Sequence, residues 1–356
     1  MLYVGLANLL FILRLAVVDR LRLSRQIWPP LLFGLFLFSA FRWQVGCDWS
    51  GYYNQYLLAG QRGWDVILSG NEIIWWSILK SLHVLGLPYP WANVFSSAVF
   101  FAGIATLARR QPDPLAFVVL LFPILIVNMP MSGIRQGAAI GLFCIALCAF
   151  MDRRMLHFVF WIILGAGFHT SVLLFLLITP LASGTFNRNR IAVAVLLALP
   201  GAYLLATGDA ASEATARYIV GSREAFGAAF RVALVLLTGA LYVLALRRAW
   251  GHQFPKDYHL VTMGALAMLA IGLLLPLSTI IADRLTYYLV PVQTMIFARL
   301  PFLQTGRLRQ FYTIGPYIAL ALLFTVWTLL SSHFQNCYLP YNSWLFGFPD
   351  NAILRF

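Results

Sequence analysis

Polar residues are sparse along this chain, and the stretches between them are continuously apolar. The apolar runs fall at about 1–18, 26–42, 90–108, 114–129, 133–151, 155–168, 170–185, 190–207, 228–246, 258–279, 283–300 and 311–331. Most are about 15–25 residues long, the length that carries a helix across a bilayer core. None alternates polar with apolar residues, which excludes a transmembrane barrel. The pattern predicts an all-α, polytopic integral membrane protein with about twelve hydrophobic segments, one domain over 1–356. The first run, MLYVGLANLLFILRLAVV, leads into DRLRLSR without a small-residue cleavage site and reads as a retained helix.

Alternation of the connections adds two expectations. The stretch around His169, next to Gly165 and Gly167, must break, so that 155–168 rises and 170–185 descends. Three longer segments then share one face with both termini: 43–89, the loop 208–227 and the tail 332–356. Within the first, WSGYYNQYLLAG and NEIIWWSILKSLHVLG combine helical spacing with aromatic weight, as helices lying in the membrane interface do.

Composition agrees: of 356 residues, 61% are hydrophobic and 10% charged, against about 25% charged in soluble proteins. The net charge of +13 does not point to nucleic acid. Of the 25 basic residues, most sit in short connections on one side: Arg20, Arg22, Arg25, Arg109, Arg110, Arg153, Arg154, Arg188, Arg190, Arg247, Arg248, Lys256, Arg299, Arg307 and Arg309. By the positive-inside rule that side is cytoplasmic. Cys144 and Cys148, one turn apart in an apolar run, read as packing residues. Cys47 and Cys337 are both external by this topology, and an oxidising compartment would allow them to pair.

Topology leaves ten basic residues unexplained: Arg14, Arg42, Arg62, Lys80, Arg135, Arg217, Arg223, Arg231, Arg284 and Arg355. An anionic ligand accounts for a group of external arginines, because the guanidinium fork bonds phosphate oxygens bidentately. Snorkelling to lipid headgroups is the plainer reading for Arg62, Arg223 and Arg355. Arg135 stands apart. It opens a run carrying Gly133, Gly137 and Gly141, a small-residue stripe that permits close helix contact, and a helix start also offers free N–H groups to an anion. Arg284 precedes Tyr287 and Tyr288 on its own helical face, with Asp283 as partner or cap. Arg217 is followed by Tyr218. Each of these arginines also has a purely structural reading.

Asp48, Tyr52 and Tyr56 form one stripe of GCDWSGYYNQY. Asp48 has three open roles: general base toward a sugar hydroxyl, partner of an arginine, or helix cap. Glu72 shares the ambiguity, with capping favoured. His169 at the expected break is structural, a base or a phosphate ligand. No G-x-S-x-G, HExxH, Walker loop or dinucleotide fingerprint occurs, so neither a metal nor a cofactor is expected.

Taken in order, GCDWSGYYNQY, SGIRQGAAIGLF, GFHTSVLLF, ADRLTYYL and LPYNSW resemble the EpsG-like branch of the Wzy polysaccharide polymerases. The resemblance implies a GT-C-like multi-helix glycosyltransferase in the bacterial inner membrane. It also implies undecaprenyl-diphosphate-linked oligosaccharides as substrates, a periplasmic active face and a chain-length-regulating co-polymerase as partner. Asp48 or His169 would then be the base. Arg135 with Gln136, Arg217 with Tyr218, and Arg284 with Tyr287 would bind the donor, and Tyr52, Tyr56 and Tyr341 the sugars. Two rival readings use the same lipid: an O-antigen ligase and a flippase without chemistry. A transporter should place polar groups on both faces of a central cavity, whereas here they gather on one.

Overall fold

Prolines, glycines and one aspartate set where the helices begin and bend. The computed structural model describes residues 2–181, 225–275, 279–303 and 308–348, with isolated positions between 188 and 203. The first helices are α1 (Leu2–Ala16) and α2 (Leu21–Ala40), followed by the short α3 (Trp49–Gln61), α4 (Trp64–Leu68) and α5 (Ile73–Val84). Pro90 starts α6 (Pro90–Ala108), where its missing N–H costs nothing. α7 (Pro114–Leu121) pairs the same device with a cap, the Asp113 carboxylate accepting from the Ala116 N–H at 3.0 Å. Pro123 then lies in a π-helical turn, Phe122–Ile126, where the lost donor lets the ladder widen.

α8 (Ile134–Met151) and α9 (Met155–Ala166) follow, and the expected break is present: after Gly167–His169 the chain continues as a 3-10 helix, Thr170–Leu181, packed against α9. The remaining helices are α10 (Ala225–Leu241), α11 (Arg247–Gln253), α12 (Tyr258–Leu274), α13 (Thr279–Arg299), α14 (Arg309–Leu330) and α15 (Ser332–Tyr338). Helices thus stand where the apolar runs predicted them, apart from 190–207, which lies largely outside the described residues. No strand occurs among the described residues beyond an isolated bridge between Arg42 and Ser343. The protein is an all-α, multi-pass membrane protein.

The centre is α7 and α8. Every residue of α7 is buried, and nearly every residue of α8. α8 reaches its neighbour α6 through glycines: a Cβ on Gly103 would strike the Gly141 carbonyl, and one on Gly141 would strike the backbone of Val99 and Phe100. Peripheral helices instead expose Leu156, Leu244, Leu273, Phe311 and Leu330, the outward apolar belt that lipid requires.

Contacts between connections sort the two ends of the bundle. At one end Arg110 grips Asp152 with two 2.6 Å hydrogen bonds, Arg299 pairs with Asp257, and Arg299 Nε donates to Gln111 at 2.9 Å. Arg309 lies 4.0 Å from Asp19 there. Arg14 belongs to this end too. It was expected among the external residues, but it is buried against Asp113, which also accepts from Ser24 Oγ at 2.6 Å. A buried arginine needs a carboxylate, and the one within reach is Asp113, at the start of α7.

At the other end, α3–α5 and the tail form a cap. Trp43 N–H donates to Asn342 at 2.8 Å, Gly46 N–H to Cys337 at 2.7 Å, and Cys47 is disulfide-bonded to Cys337 with Cα atoms 4.8 Å apart. Trp49, Tyr52, Trp75, Tyr89 and Ile134 make a second apolar cluster beneath this cap. Cys144 and Cys148 are buried thiols, as packing residues would be.

Candidate active site

The site begins in the turn that leads into α8. Asn128 Nδ2 donates to the Ile124 carbonyl at 2.8 Å, and its own carbonyl receives the N–H groups of Ser132 and Gly133, both at 3.1 Å. This turn lies against Gly46, whose φ of +103° and contact with the Met131 carbonyl leave no room for a side chain. The close approach brings Asp48 to Ser132, whose Oγ donates to Oδ2 at 3.3 Å. Asp48 stands at the N-cap position of α3 but makes no capping bond, so the cap reading falls.

Glu72 organises the site. It too sits at an N-cap position, that of α5, yet makes no capping bond; its left-handed φ of 56° turns the carboxylate inward instead. The sequence favoured a cap, and the correction has a physical cause: three donors from other elements compete for the same oxygens. Arg135 Nη1 reaches Oε2 at 2.5 Å, while His169 Nδ1 and the Thr170 N–H reach Oε1 at 2.7 and 3.3 Å. Burial by itself would raise the Glu72 carboxyl, but the His169 hydrogen bond and the Arg135 charge hold it at about 2. An ionised carboxylate only accepts, so Nδ1 carries the proton and Nε2 keeps its lone pair. Burial also lowers the His169 pKa below its ordinary value, outweighing the pull of Glu72.

Arg135 lies over the Tyr52 ring at 5.5 Å. Its Nε is buried and finds no acceptor among the described residues. Burial, with the neighbouring Asp48 charge, pushes the Tyr52 phenol up to about 12.

α13 supplies the opposite wall. Arg231 of α10 binds Asp283 with two hydrogen bonds, 2.9 and 2.8 Å, and lies 5.2 Å from the Tyr287 ring. Sequence spacing grouped Asp283 and Tyr287 with Arg284, but the packing of α10 on α13 gives both to Arg231. Gln136 donates to the Arg284 carbonyl at 2.6 Å and so ties α8 to α13 instead of facing a ligand. Arg284 is near enough to act electrostatically on His169 and Tyr288, and the Tyr288 hydroxyl shares a 2.9 Å hydrogen bond with Ser171. Tyr338 of α15 stands beside Ser132, within electrostatic range of Asp48 and Arg231.

Other expected residues go elsewhere. Tyr56 donates to the Leu87 carbonyl at 2.9 Å, and Tyr341 to that of Phe38 at 2.9 Å while stacking on its ring, so both secure the cap. Arg42 is buried and spends its guanidinium on Val45, Ser39 and Asn93. Lys80 binds the Gly60 carbonyl, and Arg62 covers Trp76. Arg217, Tyr218, Arg223 and Arg355 lie outside the described residues.

Sequence reasoning missed Ser132 and Tyr338, which carry no signal of their own, and left Arg231 without a role. A lone arginine inside FRVALVLL was signal enough, because charge within an apolar helix needs a partner. Cys47, His333 and Cys337 bring possible metal-ligand atoms within 4.8 Å of one another, but the disulfide occupies two of the three.

The model of the EpsG family matches residues 26–343, a span that includes every residue of this cluster. No curated protein and no solved structure matches the chain.

Proposed function

The chain belongs to the EpsG family, and from that premise we propose that it polymerises lipid-linked repeat units on the outer side of the bacterial inner membrane. Membership supports a polysaccharide polymerase activity; undecaprenyl diphosphate as the lipid carrier, the periplasmic side and the residue roles are our reading.

One observation carries it: Glu72 binds both Arg135 and His169, and Arg135 still keeps a buried donor without an acceptor among the described residues. An unpaired buried donor is costly. A diphosphate oxygen would satisfy Nε, with Arg284, and Arg217 from outside the described residues, adding charge. His169 Nε2 takes the proton of an acceptor hydroxyl as that oxygen attacks the anomeric carbon. The glycosidic bond forms, the bond from anomeric carbon to phosphate oxygen breaks, and the diphosphate leaves with the electron pair. Preorganised cations stabilise that departing charge. Asp48, held by Ser132, orients the acceptor hydroxyl, and Tyr218 stacks on sugars, whereas the rings of Tyr52 and Tyr287, expected there too, are buried under Arg135 and Arg231 and support those arginines instead. A chain-length-regulating co-polymerase is the expected partner.

The test is deletion of the gene, with lipid-linked and surface glycan resolved on gels. Complementation uses wild type, Arg135→Lys, His169→Ala and Asp48→Ala. Single repeat units without a ladder, restored by wild type alone, are expected. Arg135→Lys should lose about 100-fold of polymer yield, as a lost oxyanion donor does, because lysine lacks the fork. Unchanged yield in that variant would remove Arg135 from the donor site. Free polymer without attachment in the deletion would instead identify a ligase, and absence of any externally exposed unit a flippase.

A further inference from the structure

The arginine-rich end of the bundle holds a second group of cations that polymer formation does not use. Its carboxylates Asp19, Asp113, Asp152 and Asp257 are each matched to an arginine: Arg309, Arg14, Arg110 and Arg299 respectively. Several basic residues of this end are paired with no carboxylate among the described residues, Arg25 of α2 and Arg109 at the end of α6 among them. Both are exposed, and neither side chain has a hydrogen bond or ion pair among the described residues.

These two arginines border the same cavity, of about 340 Å³, with Trp28, Gln111 and Pro114 as the rest of its lining. Nothing in that lining neutralises them. Gln111 Nε2 is spent on the Leu107 carbonyl and its Oε1 on Arg299. Asp113, next to Pro114, is buried and its charge is taken by Arg14 and Ser24. Two exposed guanidiniums on separate helices therefore border one space whose lining holds no carboxylate.

We propose that this cavity binds a phosphate-bearing anion, and that its source is the headgroup of an anionic phospholipid in the adjoining leaflet. Arginine forks suit phosphate oxygens, and basic pockets between membrane helices at this end of a bundle take such headgroups. The lipid source follows from the surroundings. Trp28 is buried in the apolar core, and the next residues of α2, Pro29 and Pro30, are exposed apolar groups, so the two arginines stand where the apolar bundle meets its polar end.

The test is native mass spectrometry of the full chain released from detergent, with phosphatidylglycerol or phosphatidylcholine added. Wild type should retain phosphatidylglycerol in preference. The double variant Arg25→Gln/Arg109→Gln should lose about tenfold of that preference. Arg153→Gln/Arg154→Gln, which removes the same charge from the same face, should keep it. Inorganic phosphate that displaces the lipid from wild type, but does not bind the Arg25/Arg109 variant, would uphold the site and its phosphate chemistry. Equal lipid retention by both double variants, or no preference in wild type, would overturn the proposal.

Discussion

Glu72 is the residue on which the site turns, because a single carboxylate fixes Arg135 and His169 at once. Its folded pKa of about 2 lies below the ordinary 4.5, so its ionised form stabilises the fold. That contribution is complete above pH 4.5 and disappears as pH falls through about 2. Glu72→Gln should therefore lower the unfolding temperature by a constant amount near neutral pH, with the gap to wild type closing below pH 4.5. The same variant should cut polymerase activity by about 100-fold, the scale of a lost base. A gap in unfolding temperature that stays constant down to pH 3 would show that the carboxylate is not held by Arg135 and His169. This residue was visible in NEIIWW but misassigned, since capping is a local rule and its true partners are 63 and 97 positions away.

At the scale of elements, α8 positions Arg135, and two glycines position α8. The stripe Gly133, Gly137 and Gly141 announced a close helix contact, and Gly141 makes it, against α6 at Gly103. Its partner helix was not legible, because one sequence shows which face is small but not what approaches it. Gly141→Ala should push the Val99 and Phe100 backbone away and destabilise the protein by about 1–3 kcal/mol. Thermal unfolding in detergent would register this as a drop of a few degrees. Unfolding at the wild-type temperature would mean that the contact is loose. α13 teaches the complementary lesson. Residues that share one helical face, Asp283, Arg284 and Tyr287, were divided between two neighbours once α10 packed beside them.

Seen whole, the molecule has one arginine-rich end laced by ion pairs and one aromatic cap carrying the site. That polarity predicts opposite accessibility for the two ends. Arg153→Cys should react with a membrane-impermeant thiol reagent only after the cells are opened, and Arg62→Cys should react in spheroplasts. Labelling of both from the same side would refute the topology. The cap also explains why Tyr56 and Tyr341 have no place at the site: Tyr56 ties α3 to the stretch after α5 through Leu87, and Tyr341 ties the tail to α2 through Phe38.

Hydrophobic runs alone determined the helices and the membrane setting, because lipid forces every backbone polar group into local hydrogen bonds, and the alternation of the connections added the break at His169. Charge placement alone separated the two ends, with Arg14 as its error. Only the tertiary structure decided which polar residues meet. Glu72 with Arg135 and His169, Asp48 with Ser132, and Arg231 with Asp283 are all long-range pairs. Their geometry comes from helix packing and the folding back of the cap, and no spacing within a single run encodes it.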